Sequence, residues 1–148
     1  MWTKVNSITV LVVDDENRDR AQVASALAAK GYSVLQAYCY SDAMAVFEMN
    51  RDAVTLLISD VALPDGNGCA LALAMKKQKA DLRVLFISFQ VGTEICKYYG
   101  LSVRHLHLLR KPFNGAKLLS RVRRVLRAAK AFPQLNIPKT LTSSGQSI

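Results

Sequence analysis

The sequence has no acidic residue after Glu94. The 148-residue chain contains 20 Lys+Arg and 11 Asp+Glu, a formal net charge of +9. All 11 acids lie in residues 1–94 together with 9 bases, whereas residues 95–148 contain 11 bases and no acid. A basic protein commonly binds nucleic acid or another anionic surface. Here the acids are concentrated in one part of the chain, so their positions must be explained first.

The sequence also lacks the apolar run of about 20 residues that a transmembrane helix needs. Its first residues lead directly into a strand-like segment without a small-residue cleavage site, so we expect no secretory signal peptide. The three cysteines, Cys39, Cys69 and Cys96, have no metal-type spacing, and we expect buried thiols in a reducing cytoplasm. With 51 % hydrophobic and 21 % charged residues, the chain is not intrinsically disordered, and its length suits one domain.

Short apolar runs alternate with segments of helical length. The runs are residues 8–13, 33–37, 54–59, 83–88 and 105–109. The first, third and fourth runs are almost continuously apolar, as is typical of parallel strands covered on both faces. The predicted helices are 17–30, 41–51 with Ser41 as the N-cap, 67–80, 91–99 and 114–131. This alternation predicts a doubly wound α/β domain with a five-stranded parallel sheet and helices on both faces.

Polar or charged residues mark the ends of four predicted strands. Asp14 and Asp15 follow the first strand, Asp60 the third and Lys111 the fifth, while Ser88 ends the fourth. The carboxyl ends of parallel strands meet at one edge of a sheet, so we expect these side chains to lie together. Clustered carboxylates need a cation, and oxygen ligands favour a hard ion such as Mg²⁺. A lysine, a hydroxyl and Mg²⁺ around one carboxylate are suited to phosphoryl transfer.

The segments around these residues resemble the signature of response-regulator receiver domains, the CheY-like family of two-component signal transduction. The matching segments, in the family's order and spacing, are residues 12–16 (VVDDE), 60–68 (DVALPDGNG), Ser88 and 111–113 (KPF). Taken singly, the acidic pair or Ser88 would be explained as a helix cap. The resemblance covers about residues 6–131 and implies a flavodoxin-like sheet of order 2-1-3-4-5. Residues 132–148 are then a flexible C-terminal tail or linker stub.

The resemblance also implies the roles of the acids. Asp60 matches the phosphoacceptor, a nucleophile that takes a phosphoryl group from a phosphohistidine and becomes an aspartyl phosphate. Asp14 and Asp15 match the acidic pair that holds Mg²⁺, with Asp60 and the backbone carbonyl of Ala62 as further ligands. The donor of the phosphoryl group would be a sensor histidine kinase or a phosphotransfer protein.

The remaining motif residues match groups that surround the phosphoryl site. Lys111 matches the lysine that contacts the phosphoryl group, and its bond to Pro112 matches a cis X-Pro bond. Ser88 stands where the family has a serine or threonine whose hydroxyl moves toward the phosphate. Gly66 and Gly68 fit the tight loop after the acceptor, where left-handed backbone would require glycine.

Three positions depart from the family pattern. Leu108 occupies the position of the switch aromatic, so no ring is available there to couple the phosphate to the outer face. Phe89 stands where the family usually has a small residue, and its ring would narrow access to the phosphoryl site. Ala62 offers no polar side chain to position an attacking water. We hypothesise that Ala62 and Phe89 alter the lifetime of the phosphorylated state.

The predicted last helix, residues 114–131, has an apolar arc and a remaining surface that is entirely basic. Such a surface is either a solvated helix face or a site for an acidic partner. The sequence disfavours direct DNA binding as its role, because no helix-turn-helix motif follows. A symmetric dimer through this region would lack acids, since the preceding segment offers only Glu94. His105 and His107 share one side of the fifth strand, where packing is favoured over a metal site.

These observations predict a cytoplasmic receiver that signals through phosphorylation-dependent protein contacts. It would catalyse only its own phosphorylation and dephosphorylation. One alternative is a receiver fragment of a longer regulator or hybrid kinase. A second, motivated by Leu108 and Phe89, is a pseudo-receiver that acts as a phosphorylation-independent interaction module. An aspartate-nucleophile phosphatase is disfavoured, because Ala62 stands where that enzyme would need an acid.

Overall fold

A computed structural model of the protein describes residues 8–89 and 107–128. The strands are β1 Thr9–Val13, β2 Ser33–Ala37, β3 Val54–Asp60, β4 Ala62–Leu63, β5 Gly66–Asn67, β6 Arg83–Ser88 and β7 Leu108–Arg110. The helices are α1 Asn17–Ala28, α2 Tyr40–Met49, α3 Gly68–Gln78 and α4 Gly115–Arg127. None of the helices in these two ranges is long and apolar enough to span a membrane.

Several sequence predictions fall outside the described residues. They concern Cys96, Glu94, His105, the predicted helix 91–99 and the tail 132–148. The bounds of the predicted domain, 6–131, also extend beyond the two ranges and stay a prediction.

Five parallel strands form the central sheet in the order β2-β1-β3-β6-β7. A separate antiparallel pair, β4 and β5, lies in the loop between β3 and α3. When this short hairpin is set aside, the order along the chain is 2-1-3-4-5, so the predicted fold and strand order are confirmed. The hairpin itself was not predicted, because each of its strands is only two residues long.

Helices cover the sheet on both faces, which explains the continuous apolar runs. On β1, Val10 and Val12 pack with α1 and α4, whereas Leu11 and Val13 pack with α2 and α3. All four side chains are fully buried. A strand between two helical layers must be apolar at every position, whereas a half-exposed strand would alternate. Cys39 and Cys69, which were predicted to be buried, are both buried.

The N-terminus of α2 differs from its prediction. Cys39 is the N-cap, and its Sγ accepts a hydrogen bond of 3.5 Å from the Asp42 amide. Ser41 instead lies in the first turn, where its amide donates to the Asp65 carboxylate at 3.0 Å. The Tyr40 amide donates to the same carboxylate at 2.6 Å. A carboxylate from a distant loop thus satisfies helix amides that a local cap usually serves.

The last helix ends earlier than predicted, at Arg127 rather than Ala131. Ala128 has extended backbone, and a guanidinium nitrogen of Arg83 donates to the carbonyls of Val125 and Ala128 at 2.8 Å each. This side chain supplies hydrogen bonds that another turn of helix would otherwise provide. The helical periodicity of the sequence does not indicate that a side chain from strand β6 ends this helix.

Candidate functional site

The carboxyl edge of the sheet carries a cavity that collects the predicted site residues. Asp14 follows β1, Asp60 and Ser88 end β3 and β6, and Lys111 follows β7. These four side chains and Asp15 line one cavity of about 680 Å³. Asp14, Asp60, Ser88 and Lys111 are buried, and Asp15 is exposed. These five residues, which the sequence predicted to meet at this edge, thus lie around one cavity, and their roles stay a prediction.

Three carboxylates form the acidic part of the cavity. Asp14, Asp15 and Asp60 each offer an oxygen, and these oxygens lie within 4.8 Å of one another. Burial raises the pKa of Asp14, although the Glu16 amide opposes this shift by donating to Asp14 Oδ1 at 2.9 Å. A buried carboxylate beside two others gains from a nearby cation. All-oxygen donors with this spacing fit a hard divalent ion such as Mg²⁺.

The Asp60 carboxylate is held by one contact on each oxygen. Its Oδ1 accepts a hydrogen bond of 3.1 Å from the Ala62 amide, and its Oδ2 lies 2.9 Å from Lys111 Nζ. The side chain keeps 12 % of its surface exposed, whereas the Asp14 side chain has none. Asp60 is thus fixed in orientation and still reachable from the cavity.

Lys111 lies among three carboxylates. Its Nζ is 2.9 Å from Asp60, 3.1 Å from Asp14 and 3.1 Å from Asp19. Burial disfavours the charged ammonium, but the hydrogen bonds to these acids outweigh it and hold the pKa of Lys111 above its usual value. The Lys111–Pro112 peptide bond is cis, as predicted.

Sequence reasoning missed Asp19. It lies in the first turn of α1, where an acid is commonly explained by the helix dipole alone. Its position shortly after Asp14 and Asp15, in a helix that begins directly after them, was a signal. Which side of the helix faced the lysine could not be decided without the packing of α1 on the sheet.

Phe89 and Leu108, two departures from the family pattern, lie in different places. The Phe89 ring is 65 % exposed, lines the cavity, and has its centroid 5.1 Å from Lys111 Nζ. Leu108 is partly buried and packs against the core between the sheet and the α2–α3 layer. Ser88 links the two neighbouring strands, since its carbonyl accepts a hydrogen bond of 2.8 Å from the Lys111 amide.

The glycines of the loop after Asp60 are needed for space and not for left-handed backbone. Within the described residues only Gly31 has a positive φ, so the expectation of left-handed backbone at Gly66 or Gly68 was wrong. A Cβ atom at Gly66 would lie 3.0 Å from the Tyr40 ring. One at Gly68 would lie 2.3 Å from the Asp60 carbonyl oxygen. Close approach of other groups therefore explains both residues.

His107 lies near basic residues and not in the aspartate cluster. It is half-buried, and its pKa is lowered by burial and by the charges of Arg121, Arg124 and Arg83. In residues 8–89 and 107–128, the only group of three or more potential metal ligands is the aspartate cluster. His105, the other histidine of the predicted pair, lies outside the described residues, so the choice of packing over a metal site stays a prediction.

The fold and the cavity define a class: a flavodoxin-like α/β domain with an acidic, lysine-containing site at the carboxyl edge of its sheet. Residues 10–123 match the sequence model of the family described as the response regulator receiver domain. The chain belongs to this family, whose members are phosphoryl-accepting signalling modules of two-component systems.

Individual relatives agree with this assignment. The chain is 34 % identical over 121 residues to the phosphate regulon transcriptional regulatory protein PhoB of Pseudomonas aeruginosa, covering 80 % of this chain and 52 % of PhoB. It is 28 % identical over 120 residues to the sensor kinase CckA of Brucella abortus, covering 81 % of this chain but 13 % of CckA. The chain thus spans about half of PhoB and a small part of CckA.

Solved structures show the same fold. The receiver domain of the hybrid histidine kinase CckA superposes with a TM-score of 0.67 at 32 % identity, covering 80 % of this chain and 99 % of that one. The chemotaxis response regulator CheY4 of Vibrio cholerae gives a TM-score of 0.69 at 31 % identity, covering 81 % and 99 %.

Proposed function

We propose that the protein accepts a phosphoryl group on Asp60 from a phosphohistidine of a sensor histidine kinase or phosphotransfer protein. The observation that carries this proposal is the setting of the Asp60 carboxylate. It lies between the Ala62 amide and Lys111 Nζ, beside Asp14 and Asp15, at a cavity wide enough for a phosphoryl group. Family membership makes phosphoryl acceptance the general function, and this geometry supports Asp60 as the accepting residue.

In the proposed reaction an Asp60 oxygen forms a bond to phosphorus while the phosphorus–nitrogen bond to the donor imidazole breaks. The imidazole leaves as the neutral ring once it has gained a proton. Negative charge spreads over the phosphoryl oxygens during the transfer. Lys111 Nζ, which lies 2.9 Å from an Asp60 oxygen, would balance that charge, and Ser88, which lines the same cavity, would donate a hydrogen bond to the transferred group.

The residues that would hold Mg²⁺ are Asp14, Asp15 and Asp60, with the Ala62 carbonyl as a further ligand. Three carboxylate oxygens within 4.8 Å suit this ion, which prefers oxygen donors. When bound, Mg²⁺ would neutralise charge that develops on the phosphoryl oxygens. The buried Asp14 supports this assignment, since burial raises its pKa and makes a cation beside it favourable.

The lifetime of the aspartyl phosphate is a separate proposal. Hydrolysis requires a water molecule aligned with the phosphorus–oxygen bond of the acyl phosphate. Ala62 lines the cavity but has only a methyl group, which cannot orient water by a hydrogen bond. The Phe89 ring lines the same cavity and covers Lys111. We therefore expect slow autodephosphorylation.

Phosphoryl acceptance is tested by incubating the full chain with a small acyl phosphate and MgCl₂ and measuring the intact mass. The wild type should gain one phosphoryl group, and Asp60→Asn should gain none. Asp52→Asn is the matched control, because Asp52 is an exposed aspartate in the loop after α2. A chain that gains no Mg²⁺-dependent adduct would instead be a pseudo-receiver, the alternative that Leu108 and Phe89 favour.

The output surface that we propose is the basic face of α4, and its partner is an acidic protein. Buried Leu118, Val122 and Val125 attach α4 to the sheet. The exposed surface of α4 carries only basic charges, from Lys117, Arg123, Arg124 and Arg127, whereas Arg121 is partly buried and donates a hydrogen bond to the Leu108 carbonyl. Complementary charge would make binding strongly dependent on salt. Binding that is unaffected by salt between low and physiological ionic strength would argue against this partner.

The cellular setting is also a proposal. The buried cysteines Cys39 and Cys69 are typical of a reducing compartment, and we place the protein in the cytoplasm. Because the chain spans only part of PhoB and CckA, it is equally compatible with a receiver inside a longer regulator or hybrid kinase. The length of the protein purified from its natural source distinguishes these two arrangements.

A further inference from the structure

Asp19 is the only one of the three acids around the Lys111 ammonium that lies outside the aspartate cluster. A lysine ammonium has three N–H donors. Three carboxylates, those of Asp14, Asp19 and Asp60, lie within hydrogen-bond distance of Lys111 Nζ, at 2.9–3.1 Å. Asp14 and Asp60 also belong to the cluster that would hold Mg²⁺, whereas Asp19 does not. Of the three acids, Asp19 is therefore the one that contacts the lysine without belonging to the proposed metal site.

This arrangement makes Lys111 and a divalent cation competitors for the carboxylates of Asp14 and Asp60. Each hydrogen bond from Lys111 to Asp14 or Asp60 uses negative charge that a cation would otherwise neutralise. The attraction between Lys111 and Asp19 opposes this pairing with Asp14 and Asp60, because it draws the ammonium toward α1. The Asp19 side chain is 30 % exposed, against none for Asp14, so this contact lies on the outer side of the site.

We infer that Asp19 is a positioning residue, which holds the Lys111 ammonium toward α1 and so leaves Asp14 and Asp60 available to a cation. The identity of that cation, Mg²⁺, rests on the proposed function. Removing the charge of Asp19 releases the lysine to pair more strongly with Asp14 and Asp60. The protein should then bind Mg²⁺ more weakly, because the ion must displace a better-paired lysine.

A simpler role for Asp19 would be to stabilise α1, because an acid in the first turn interacts favourably with the helix dipole. Asp42 allows this role to be separated from the proposed one. It occupies the first turn of α2, as Asp19 occupies the first turn of α1. Asp42→Asn therefore also removes an acid from the first turn of a helix. Among the described interactions, Asp42 has no contact with Lys111.

The test is a calorimetric titration of the full chain with MgCl₂ at low ionic strength. Asp19→Asn should weaken Mg²⁺ binding by about 3- to 10-fold, the size of one partly screened charge interaction. Asp19→Glu should restore most of the affinity, and Asp42→Asn should leave it unchanged. In a Lys111→Gln background, Asp19→Asn should have less than half of its original effect on the binding free energy, because its action runs through the lysine.

Two results would overturn the inference. One is an Asp19→Asn variant that binds Mg²⁺ as tightly as the wild type. The other is an equal loss of affinity with and without Lys111, which would mean that Asp19 acts directly on the ion. In either case a wild type that binds Mg²⁺ and gains a phosphoryl group leaves the proposed function intact. A wild type that binds no Mg²⁺ would contradict both.

Discussion

Gly68 lies directly against the backbone of Asp60. A Cβ atom at Gly68 would come within 2.3 Å of the Asp60 carbonyl oxygen and 2.9 Å of Ser59 Oγ. The Gly68 amide also donates to the Val61 carbonyl at 2.8 Å. The first residue of α3 thus fixes the position of the strand end that presents the proposed phosphoacceptor.

We predict that Gly68→Ala displaces Asp60. Real Cβ atoms do not approach a carbonyl oxygen this closely, so either the end of β3 or the start of α3 must move. The free energy of unfolding should fall by about 1–3 kcal/mol, as is usual for overpacking in a rigid region. Phosphoryl incorporation, followed by intact mass, should slow as well, because Asp60 loses its alignment with Lys111.

Gly115→Ala is the control for this substitution. Gly115 opens α4 as Gly68 opens α3, but a Cβ atom there would meet nothing closer than Ala26, at 4.0 Å. Its unfolding midpoint in urea should stay at or above that of the wild type. If both variants unfold alike, the contact with Asp60 is not what makes Gly68 necessary.

We predict a pH-dependent loss of stability from Asp65→Asn. Hydrogen bonds from the Ser41 and Tyr40 amides hold the pKa of Asp65 below its usual value. A carboxylate with a lowered pKa in the folded state contributes stability that is present above its unfolded pKa, about 3.9, and disappears as the pH falls through the folded value. The wild type should therefore have the higher Tm at neutral pH.

The difference in Tm between the two proteins should stay constant from pH 7 to about pH 5 and shrink below about pH 4. Thermal unfolding followed by circular dichroism across this range measures it. Asp52→Asn is the control and should show no such pH dependence, because Asp52 is exposed and its side chain accepts no hydrogen bond among the described residues. A Tm difference for Asp65→Asn that is the same at pH 3 and pH 7 would contradict the assigned role.

The central sheet and the residues at its carboxyl edge were predictable because their signals are local. A strand buried on both faces is apolar throughout, and the residue that follows it appears at the edge by topology alone. Asp14, Asp60 and Lys111 could therefore be placed together before any coordinates were considered.

Asp19, Asp65 and Arg83 could not be assigned in this way, because their partners are distant in sequence. Asp19 contacts Lys111 across 92 residues, and Asp65 serves the amide of Tyr40 across 25. Arg83 ends a helix 42 residues further along the chain. An acid on a helix or an arginine in a strand looks the same in sequence whether or not it has such a partner. The packing of the helices on the sheet determines which of these residues have a partner.

We predict that Phe89→Ala shortens the lifetime of the aspartyl phosphate. The ring lies over Lys111 at 5.1 Å, and its removal opens the cavity to water and ends its interaction with the ammonium. An exposed cation–π contact is worth about 0.5–1 kcal/mol, which corresponds to a decay roughly 2- to 5-fold faster. Intact mass measured over time after removal of the phosphodonor gives the rate.

Met49→Ala provides the comparison, since Met49 is 84 % exposed at the end of α2. It removes another large exposed apolar side chain and should leave the decay unchanged. Equal decay rates in the wild type and Phe89→Ala would remove Phe89 from the control of lifetime.

We predict that Arg83→Met loosens the end of α4. The guanidinium donates to the Val125 and Ala128 carbonyls at 2.8 Å each, and hydrogen bonds from a charged donor contribute about 1.5–3 kcal/mol. The free energy of unfolding should fall by about that amount. Hydrogen exchange of the amides in the last turn of α4 should accelerate. Arg123→Met, at an exposed arginine of the same helix, should leave both quantities close to the wild type.

The position of Lys111 also gives the acidic cluster an internal counter-ion. Its ammonium is part of the chain, so Asp14 and Asp60 have a neutralising partner whatever the composition of the medium. Ion binding then raises the free energy of unfolding only by the difference between the energy of the new coordination and that of the salt bridges it displaces. A chelating agent should therefore leave the domain folded, and the same molecule can pass repeatedly between its ion-free and ion-bound forms without unfolding.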